Sequence, residues 1–390
     1  MQEQVQRLAA EAQRWRIQAD KVKGATQMRA RTTIAGGDAH TPLKIAFDSR
    51  PASAPDGVGR YTSCLLAALR DACGHSWEIV ESSRPRRADI FHAPWPQGAL
   101  LRSPCPMVVT IHDLLALKRP GERMRKGMRM QLRFLAVQRA LRVIVPTEAV
   151  ALDVVAHLGI ERTRVAVIPE APAASMFRRS DSEIESVRSR YGLPGDYLLW
   201  VGDMRHPNPS RRLAKLTGTP RKLPLALVGP ASSWARELPD VTLTGLVSDD
   251  HLAALYSGAR ALVMPSEEEG FGLPAVEALA CGTPVVACES PALREVLGSR
   301  ATFVAQDDFA GLLSAAEAVS DPAPHAPRWS WQDAAAQTLA VYRACLHEAA
   351  EGRTPAIGGR RAARGPGSER SRERAGSAPL QAAVNMRRDA

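Results

Sequence analysis

Residues 261–288 read ALVMPSEEEGFGLPAVEALACGTPVVAC, a stretch that predicts a strand, a loop, a helix and a second strand. The apolar runs at its two ends are short and are bounded by turn residues, as is typical of buried strands. Between them, Pro274 suits the first helical position because it has no N–H to lose, and Gly282 marks the end of the helix. Strands joined through a helix run parallel in a sheet, so this stretch indicates an α/β fold.

The same alternation of apolar runs and helical periodicity extends over most of the chain. Before residue 171 the apolar runs are KIAFD (44–48), WEIV (77–80), PMVVTIHD (106–113), RVIVPT (142–147) and RVAVIPE (164–170). After residue 196 they are YLLWVGD (197–203), LALVGP (225–230), VTLTGLV (241–247), ALVMPS (261–266), PVVAC (284–288) and TFVA (302–305). Runs that are apolar on both faces and separated by helices indicate doubly wound parallel sheets.

A charged helical stretch with Pro and Gly clusters at its ends interrupts this alternation, and we interpret it as a domain linker. The two ends of the chain are poor in apolar residues, which favours disorder. The predicted segments are a disordered or helical extension (1–41), an N-terminal α/β domain (42–175), the linker (176–196), a C-terminal α/β domain (197–330), a helix (331–350) and a disordered basic tail (351–390).

Composition and charge limit the class of protein. The chain has 390 residues and is 45% hydrophobic, enough for two domains with their own cores. Its net charge is +10, and part of that excess lies in the arginine-rich tail. We interpret the tail as solvated chain; the alternative is weak peripheral contact with an anionic membrane surface. Aromatic residues do not interleave its arginines, so nucleic-acid binding is not expected.

The cysteines and the apolar segments bear on the compartment. The six cysteines are scattered and form no C-x-x-C pair, so we expect reduced thiols and no zinc site. No run is apolar over about 18 residues, and the N-terminus lacks the apolar core of a secretory signal. We therefore expect a cytoplasmic protein, with peripheral membrane contact as the open alternative.

Two carboxylates, Glu269 and Glu277, flank Gly270-Phe271-Gly272 in the opening stretch. The N–H groups and positive dipole end of the following helix are predicted to point toward these glycines, which favours a phosphate there. A carboxylate can accept hydrogen bonds from two adjacent sugar hydroxyls, so Glu277 is predicted to bind a ribose and Glu269 a second sugar. The alternative is structural: acids near a helix start are favoured by the dipole, and the glutamate run would be a solvated loop.

Glycines also follow neighbouring strands of the second half. Gly202, Gly229 and Gly245 each come directly after an apolar run, as Gly270 and Gly272 follow ALVMPS. Ligands of open parallel sheets bind beyond the carboxyl ends of the strands. Glycines at several ends therefore predict a close approach between backbone and ligand. Neither Gly57-x-Gly59 nor Gly270-x-Gly272 completes a dinucleotide G-x-G-x-x-G motif, and the chain has no P-loop.

Several motifs in order resemble family 4 retaining glycosyltransferases, which have the GT-B fold of two Rossmann-like domains. The similar stretches are DGVGRYTSCLLAAL, IFHAPWPQGALLRSPCPMVVTIHDLLAL, RVIVPTEAVALDVVAHLGI, LTGLVSDDHLAALYSGARALVMPS, EGFGLPAVEALACGTPVV, SPALREVLG and WSWQDAAAQTLAVYRACL, within residues 43–348. The resemblance implies a nucleotide-sugar donor in the C-terminal domain, an acceptor in the N-terminal domain, and no catalytic metal or other cofactor.

The resemblance also implies roles for particular residues. Glu269 would contact the transferred sugar and Glu277 the ribose, and His112 would sit beside the reacting sugar. The backbone at Gly270, Phe271, Gly272 and Leu273 would bind phosphate and sugar, and Gly57 and Gly59 would form a loop facing the donor.

The sequence departs from the family in two places. A basic pair usually follows the Val-Gly at the end of the first strand of the second domain, but VGDMRHPNPSRRLAK has Asp203, Pro207 and Asn208 there. The neighbouring cations that would replace the pair at the phosphates are Arg205, Arg211, Arg212 and Lys215. The section between CLLAALRDA and ADIFHAPW is also short, so the N-terminal domain is predicted to be trimmed.

Two functions from different classes follow. The first is a metal-independent retaining glycosyltransferase that moves a hexosyl unit, mannosyl-, glucosyl- or rhamnosyl-like, from a nucleotide-diphosphate sugar to a glycan or lipid-linked acceptor. The alternative is a catalytically weak or inactive GT-B protein that binds nucleotide sugar or serves as a scaffold in a glycan pathway.

Overall fold

The computed structural model describes residues 42–115, 131–205 and 207–352. The predicted extension at 1–41 and residues 353–390 of the predicted basic tail lie outside the described residues, so the expectations for those segments remain predictions.

Two six-stranded sheets form the framework of the described residues, and every strand pairing within them is parallel. The first sheet has the order β2-β1-β3-β4-β5-β6. Its strands are β1 (Leu43–Phe47), β2 (Trp77–Glu81), β3 (Ile90–Ala93), β4 (Met107–Thr110), β5 (Arg142–Val145) and β6 (Val165–Val167). The second sheet has the order β12-β11-β10-β7-β8-β9. Its strands are β7 (Leu198–Val201), β8 (Leu225–Val228), β9 (Val241–Gly245), β10 (Ala261–Met264), β11 (Val285–Cys288) and β12 (Ala301–Val304).

Helices follow the strands in both halves, so the predicted α/β architecture with two doubly wound sheets is confirmed. They are α1 (Gly57–Ala72), α2 (Glu148–Leu158), α3 (Asp181–Tyr191), α4 (Pro207–Thr217), α5 (Asp249–Gly258), α6 (Leu273–Ala280), α7 (Pro291–Leu297), α8 (Phe309–Glu317) and α9 (Trp331–Ala350). Residues 131–138 are also helical.

Local sequence explains where several helices begin. Asp56 precedes α1 and accepts a hydrogen bond from Gly59 N at 2.8 Å. Ser180 and Glu183 form a reciprocal capping box at the start of α3. Gly192 ends α3 in the left-handed conformation that glycine adopts without strain. These caps supply partners for backbone groups that a helix leaves free at its ends.

The strand order brings the predicted glycine-bearing strand ends together. β10, β7, β8 and β9 are consecutive neighbours in the second sheet. Because all of them run parallel, their carboxyl ends share one edge of the sheet. The prediction that four neighbouring strand ends form one rim is therefore confirmed.

The first sheet has an unusually short crossover. Residues 82–89 connect β2 to β3 without a helix, although parallel strands are usually joined through one. At its two ends the segment continues the pairing with β1: Ser82 N donates to Phe47 O and Asp89 N donates to Lys44 O, both at 2.9 Å. Val80 of β2 is 40% exposed. This agrees with the short section that the sequence indicated.

The predicted linker is structured. It contains α3, which packs against α5 of the second half. The first sheet ends at Val167 and the second begins at Leu198, while the domain boundaries drawn from the sequence remain a prediction.

The last helix, α9, returns to the first half and packs along α1. Its Tyr342 is fully buried and bonds to His92 Nδ1 of β3 at 2.6 Å. The same ring makes edge contacts with Trp77 and His92. The C-terminal end of the described chain thus closes the core of the N-terminal half.

Candidate active site

A cleft of about 1690 Å³ lies between the carboxyl ends of the two sheets. Most of the site residues suggested by the sequence line it. From the first half these are Gly57, Gly59 and His112, and from the second half Gly202, Gly229, Glu269, Gly270, Phe271, Gly272, Leu273, Glu277 and Arg212. Gly245, Arg205, Arg211 and Lys215 are not among the lining residues. The fold therefore brings both halves of the predicted site to one place.

The N-terminus of α6 faces this cleft, and the helix begins one residue earlier than the sequence suggested. Gly272 caps the helix with φ 87°, a left-handed conformation that favours glycine. Pro274 occupies the second helical position, so its predicted place at the first position was wrong, and Glu277 lies in the second turn. Ala275 N and Val276 N both donate to Gly272 O. The N–H of Leu273 is consequently the donor that this helix end offers to a ligand.

Glu277 is a buried carboxylate at the wall of the cleft. It is 3% exposed, and Tyr256 Oη donates to its Oε2 at 3.4 Å. Arg60 Nε lies 3.3 Å from Oε1, but Oε1 has no hydrogen-bond partner among the described residues. Burial raises the pKa of Glu277 to about 7, although the Arg60 charge opposes that rise. Glu277 Oε1 is thus an acceptor with unused hydrogen-bonding capacity in the wall of the cleft, covered by Arg60.

Glu269 lies in the loop between β10 and α6 and also lines the cleft. Burial raises the pKa of Glu269 to about 7, with smaller contributions from the negative charges of Asp113 and Glu170 and an opposing hydrogen bond from Ser266. The two carboxylates that the sequence singled out therefore both titrate near neutrality. Perturbed carboxyl groups in a cleft are typical of functional sites.

His112 lies at the end of β4, with both ring nitrogens bonded to the protein. Its Nδ1 is 3.0 Å from Glu170 Oε1 and its Nε2 is 2.9 Å from Pro94 O. Both partners accept hydrogen bonds, so this geometry suits a doubly protonated imidazolium. Burial would lower the pKa of His112, but the Glu170 carboxylate raises it overall. Because both ring nitrogens are occupied, neither can bond to a sugar. The predicted catalytic role of His112 is therefore limited to the positive charge of the imidazolium, the edge of its ring or its backbone atoms.

The loop after β10 touches the first half of the molecule directly. A Cβ at Gly270 would lie 1.8 Å from His112 O, so only glycine fits there. Thr147, which caps α2, donates from Oγ1 to Gly270 O at 3.0 Å. The two halves of the cleft therefore meet at Gly270, which follows Glu269 in the chain and lies against the backbone oxygen of His112.

The glycines at the ends of β7, β8 and β9, which we call the glycine rim, are closely packed. A Cβ at Gly229 would lie 2.0 Å from Gly202 O, and Gly229 N donates to Gly245 O at 3.0 Å. Gly229 and Gly245 have φ values of 131° and 70°. The rim thus exposes backbone rather than side chains beside the cleft. Binding of a ligand by these glycines remains a prediction.

The four cations proposed to replace the missing basic pair differ in position. Arg205 forms a bidentate pair with Asp203. Arg211 and Lys215 are exposed on α4. Arg212 lines the cleft, but its guanidinium bonds to Pro265 O, Asp307 and Gln306 and stacks on Phe309. The role of all four as phosphate ligands remains a prediction.

Two residues that line the cleft, Arg60 and Glu170, were not predicted from the sequence. Arg60 sits near the N-terminus of α1, where the helix dipole disfavours a cation. That unfavourable placement, directly after Gly57-Val58-Gly59, was a usable signal. Glu170 carried no comparable signal, because its contact with His112 joins residues 58 positions apart.

The described residues lack two other features. They contain no group of three or more His, Cys, Asp or Glu side chains arranged to hold a metal ion. Within the same residues, no helix is long and apolar enough to cross a membrane.

Comparison with known proteins assigns the chain to a family. Residues 43–171 match the model of Glycosyltransferase Family 4, and residues 196–321 match that of Glycosyl transferases group 1. Together with the two parallel sheets and their shared cleft, these matches show that the chain belongs to the group 1, family 4 glycosyltransferases, as the sequence motifs indicated.

Relatives with assigned names agree with this. The chain is 30% identical over 311 residues to the D-inositol 3-phosphate glycosyltransferase of Mycobacterium avium (strain 104), which covers 68% of this chain and 72% of the relative. It is 28% identical over 299 residues to the 2-deoxystreptamine glucosyltransferase of Streptomyces kanamyceticus, covering 68% of this chain and 76% of the relative.

Solved structures share the fold at low identity. Anabaena Alr3699/HepE in complex with UDP and glucose matches with a TM-score of 0.55 and 18% identity, covering 80% of this chain and 99% of that chain. Sucrose-phosphate synthase from Thermosynechococcus elongatus matches with a TM-score of 0.56 and 18% identity, covering 79% and 98%. These glycosyltransferase neighbours confirm the predicted GT-B fold.

Proposed function

We propose that this protein transfers a hexosyl unit from a nucleotide-diphosphate sugar to a hydroxyl of a glycan or lipid-linked acceptor, with retention at the anomeric carbon. The observation that carries the proposal is Glu277, a buried carboxylate in the wall of the cleft whose Oε1 contacts Arg60 but has no hydrogen-bond partner among the described residues. Two adjacent ribose hydroxyls would supply the missing donors. A buried acceptor without a hydrogen bond lowers the stability of the fold, so its presence in the wall of the cleft fits a binding role.

The remaining donor contacts follow from the ribose position. The diphosphate would lie at the N-terminus of α6, near the N–H of Leu273 and the backbone of Gly270 and Gly272. Glu269 would face the transferred sugar, eight residues before Glu277 along the chain. Backbone at the glycine rim of β7, β8 and β9 would accommodate the rest of the nucleotide. No metal ion is included in this proposal.

The chemistry requires charge stabilisation at two places. As the bond from the anomeric carbon to the diphosphate breaks, positive charge develops on the sugar and negative charge on the leaving oxygen. Glu269, when ionised, would face the positive charge, and N–H donors at α6 would face the negative one. Groups held in place before reaction contribute most to such stabilisation.

The acceptor class is suggested by relatives. The names of two relatives specify D-inositol 3-phosphate and 2-deoxystreptamine, both ring compounds rich in polar groups. We propose that the acceptor here is likewise polyhydroxylated and enters from the first half, past the ends of β1 and β4. Peripheral contact with an anionic membrane remains a hypothesis, because the basic tail lies outside the described residues.

A specific observation favours the alternative function. Arg205 and Arg212 are held by other protein groups, so neither is poised at the proposed diphosphate. A protein that binds nucleotide sugar but turns it over poorly would have this arrangement. Transfer measured in vitro separates the two functions.

The first experiment is thermal unfolding with millimolar UDP, GDP, dTDP or ADP, each with and without EDTA. We expect one nucleotide to raise the melting temperature by mass action and EDTA to leave that rise unchanged. Glu277→Ala should abolish the rise, whereas Glu185→Ala, an exposed acid of α3, should retain it. Sugars of the stabilising nucleotide would then be tested as donors. If no nucleotide stabilises the wild type, the proposed donor site is wrong.

A further inference from the structure

Arg60 reaches across the cleft from the first half to the second. It lies near the start of α1, and its Nη1 donates to Asp249 Oδ2 at 2.7 Å. Its Nε lies 3.3 Å from Glu277 Oε1, the carboxylate oxygen that lacks a hydrogen-bond partner among the described residues. The side chain is 21% exposed. In this structure Arg60 thus occupies the approach to the carboxylate that we propose binds ribose.

The cleft is poor in cations for a site that would hold a diphosphate. Among the described lysines and arginines, only Arg60 and Arg212 line it. The side chain of Arg212 is 13% exposed, and its guanidinium bonds through all three nitrogens to protein groups. Arg60 has two contacts with acids: a hydrogen bond to Asp249, and a charge contact with Glu277 that lacks hydrogen-bond geometry. Moving away from Glu277 therefore breaks no hydrogen bond. Of the two described arginines that line the cleft, Arg60 therefore has to break fewer protein contacts before it can bind a phosphate.

We propose that ribose displaces Arg60 from Glu277, and that the guanidinium then pairs with the adjacent diphosphate as the cation for the leaving group. This inference rests on the proposed function. Asp249 keeps its bond to Nη1 and acts as the pivot, while Nε and Nη2 turn to the phosphate oxygens. Because ribose and diphosphate are joined covalently, the new position lies a short distance from the old one.

Arg60 would assist the step in which the sugar leaves the diphosphate. The bond between the anomeric carbon and the diphosphate oxygen breaks, and its electron pair stays on that oxygen. The acceptor hydroxyl oxygen forms the new bond to the anomeric carbon, and its proton passes to the leaving diphosphate. Arg60 stabilises the negative charge on that oxygen, as donors at developing oxyanions do. Arg is well suited because it offers several N–H groups in one plane.

The test compares dissociation constants of the nucleoside diphosphate that stabilises the wild type most and of its nucleoside. The proteins are wild type, Arg60→Ala, Arg60→Lys and Arg70→Ala. Arg70 is the matched control: it is an exposed arginine of the same helix and pairs with Glu81. Calorimetry at pH 8.5 keeps Glu277 mostly ionised in the wild type. The readout is the affinity ratio of diphosphate to nucleoside, which cancels any effect that Arg60 has through Glu277.

We expect Arg60→Ala to lower this ratio by about 10- to 100-fold, the range of a hydrogen bond to a charged group. Arg60→Lys should restore part of it, and Arg70→Ala should leave it unchanged. Turnover by Arg60→Ala should fall by about 100- to 1000-fold, as for loss of an oxyanion donor. An unchanged ratio with equally weakened nucleoside and diphosphate would mean that Arg60 only supports Glu277, and would overturn the inference alone. If no diphosphate binds the wild type, the proposed function and this inference both fail.

Discussion

At the scale of single residues, the site depends on a carboxylate held in unfavourable surroundings. Glu277 is 3% exposed, and burial raises its pKa from 4.5 to about 7. The folded protein therefore binds this proton more tightly than the unfolded chain does. As the pH rises from about 4.5 through about 7, ionisation of Glu277 lowers the free energy of unfolding.

A neutral side chain at position 277 should avoid this loss of stability. Glu277→Gln mimics the neutral carboxyl, so above pH 7 the ligand-free variant should be more stable than wild type, by up to about 3 kcal/mol for a shift of this size. Below pH 4.5 the difference should vanish. Urea unfolding at pH 8 and pH 4 measures both values. Glu185→Gln, an exposed site, should show no difference at either pH. A variant less stable than wild type at pH 8 would instead make Glu277 a structural anchor.

At the scale of elements, the loop between β10 and α6 connects the two halves of the cleft. Gly270 lies against His112 O and accepts a hydrogen bond from Thr147. Directly beside that contact, Glu295 of α7 accepts hydrogen bonds from Glu148 N and Ala149 N at the start of α2. Helix and loop ends, rather than the sheets, therefore set how the halves meet.

Gly270→Ala tests this arrangement. A Cβ 1.8 Å from a backbone oxygen cannot be accommodated, so the loop or the first half must move. Because a displacement of about 1 Å in a reacting group can cost on the order of 100-fold in rate, we expect transfer to fall by about that factor. We expect only a small fall in melting temperature, because each sheet also packs in a buried cluster confined to its own half. Gly195→Ala is the control, because a Cβ there meets nothing within 4 Å. Unimpaired transfer by Gly270→Ala would show that the close contact is dispensable.

At the scale of the whole molecule, α9 ties the end of the second half to the core of the first. Tyr342 on this helix bonds to His92, whose other ring nitrogen contacts Thr110 Oγ1 at 2.9 Å. Burial lowers the pKa of His92 to about 3, so the ring is neutral at working pH. The network is fully enclosed, and loss of one member leaves a buried polar group without its partner.

Removal of this network should destabilise the molecule as a unit. Tyr342→Phe leaves His92 Nδ1 without its partner and should cost about 1–3 kcal/mol. Tyr342→Ala also leaves a cavity and should cost about 3–5 kcal/mol. Gln337→Ala, on the exposed face of α9, should cost little. Urea unfolding monitored by tryptophan fluorescence and circular dichroism should show one coincident transition that shifts. Two separate transitions, with one unmoved, would mean that α9 does not couple the halves.

Most of the secondary structure was predictable from periodicity. The apolar runs named from the sequence correspond to eleven of the strands, and β3 was the one omitted from that list. It has four residues, and the polar His92 interrupts its apolar pattern. His92 is buried because Thr110 and Tyr342 supply its partners, and Tyr342 lies 250 positions away. No local signal could report that contact.

The sequence by itself determined the α/β class, the alternation of strands and helices, the glycine-rich strand ends and the pair Glu269 and Glu277, because these depend on patterns a few residues long. Only the tertiary structure decided that β10, β7, β8 and β9 are neighbours and that His112 has both ring nitrogens engaged. It also placed Arg60, rather than Arg205 or Lys215, beside Glu277. These facts depend on contacts between residues far apart in the chain, which form only when the two sheets fold and face each other.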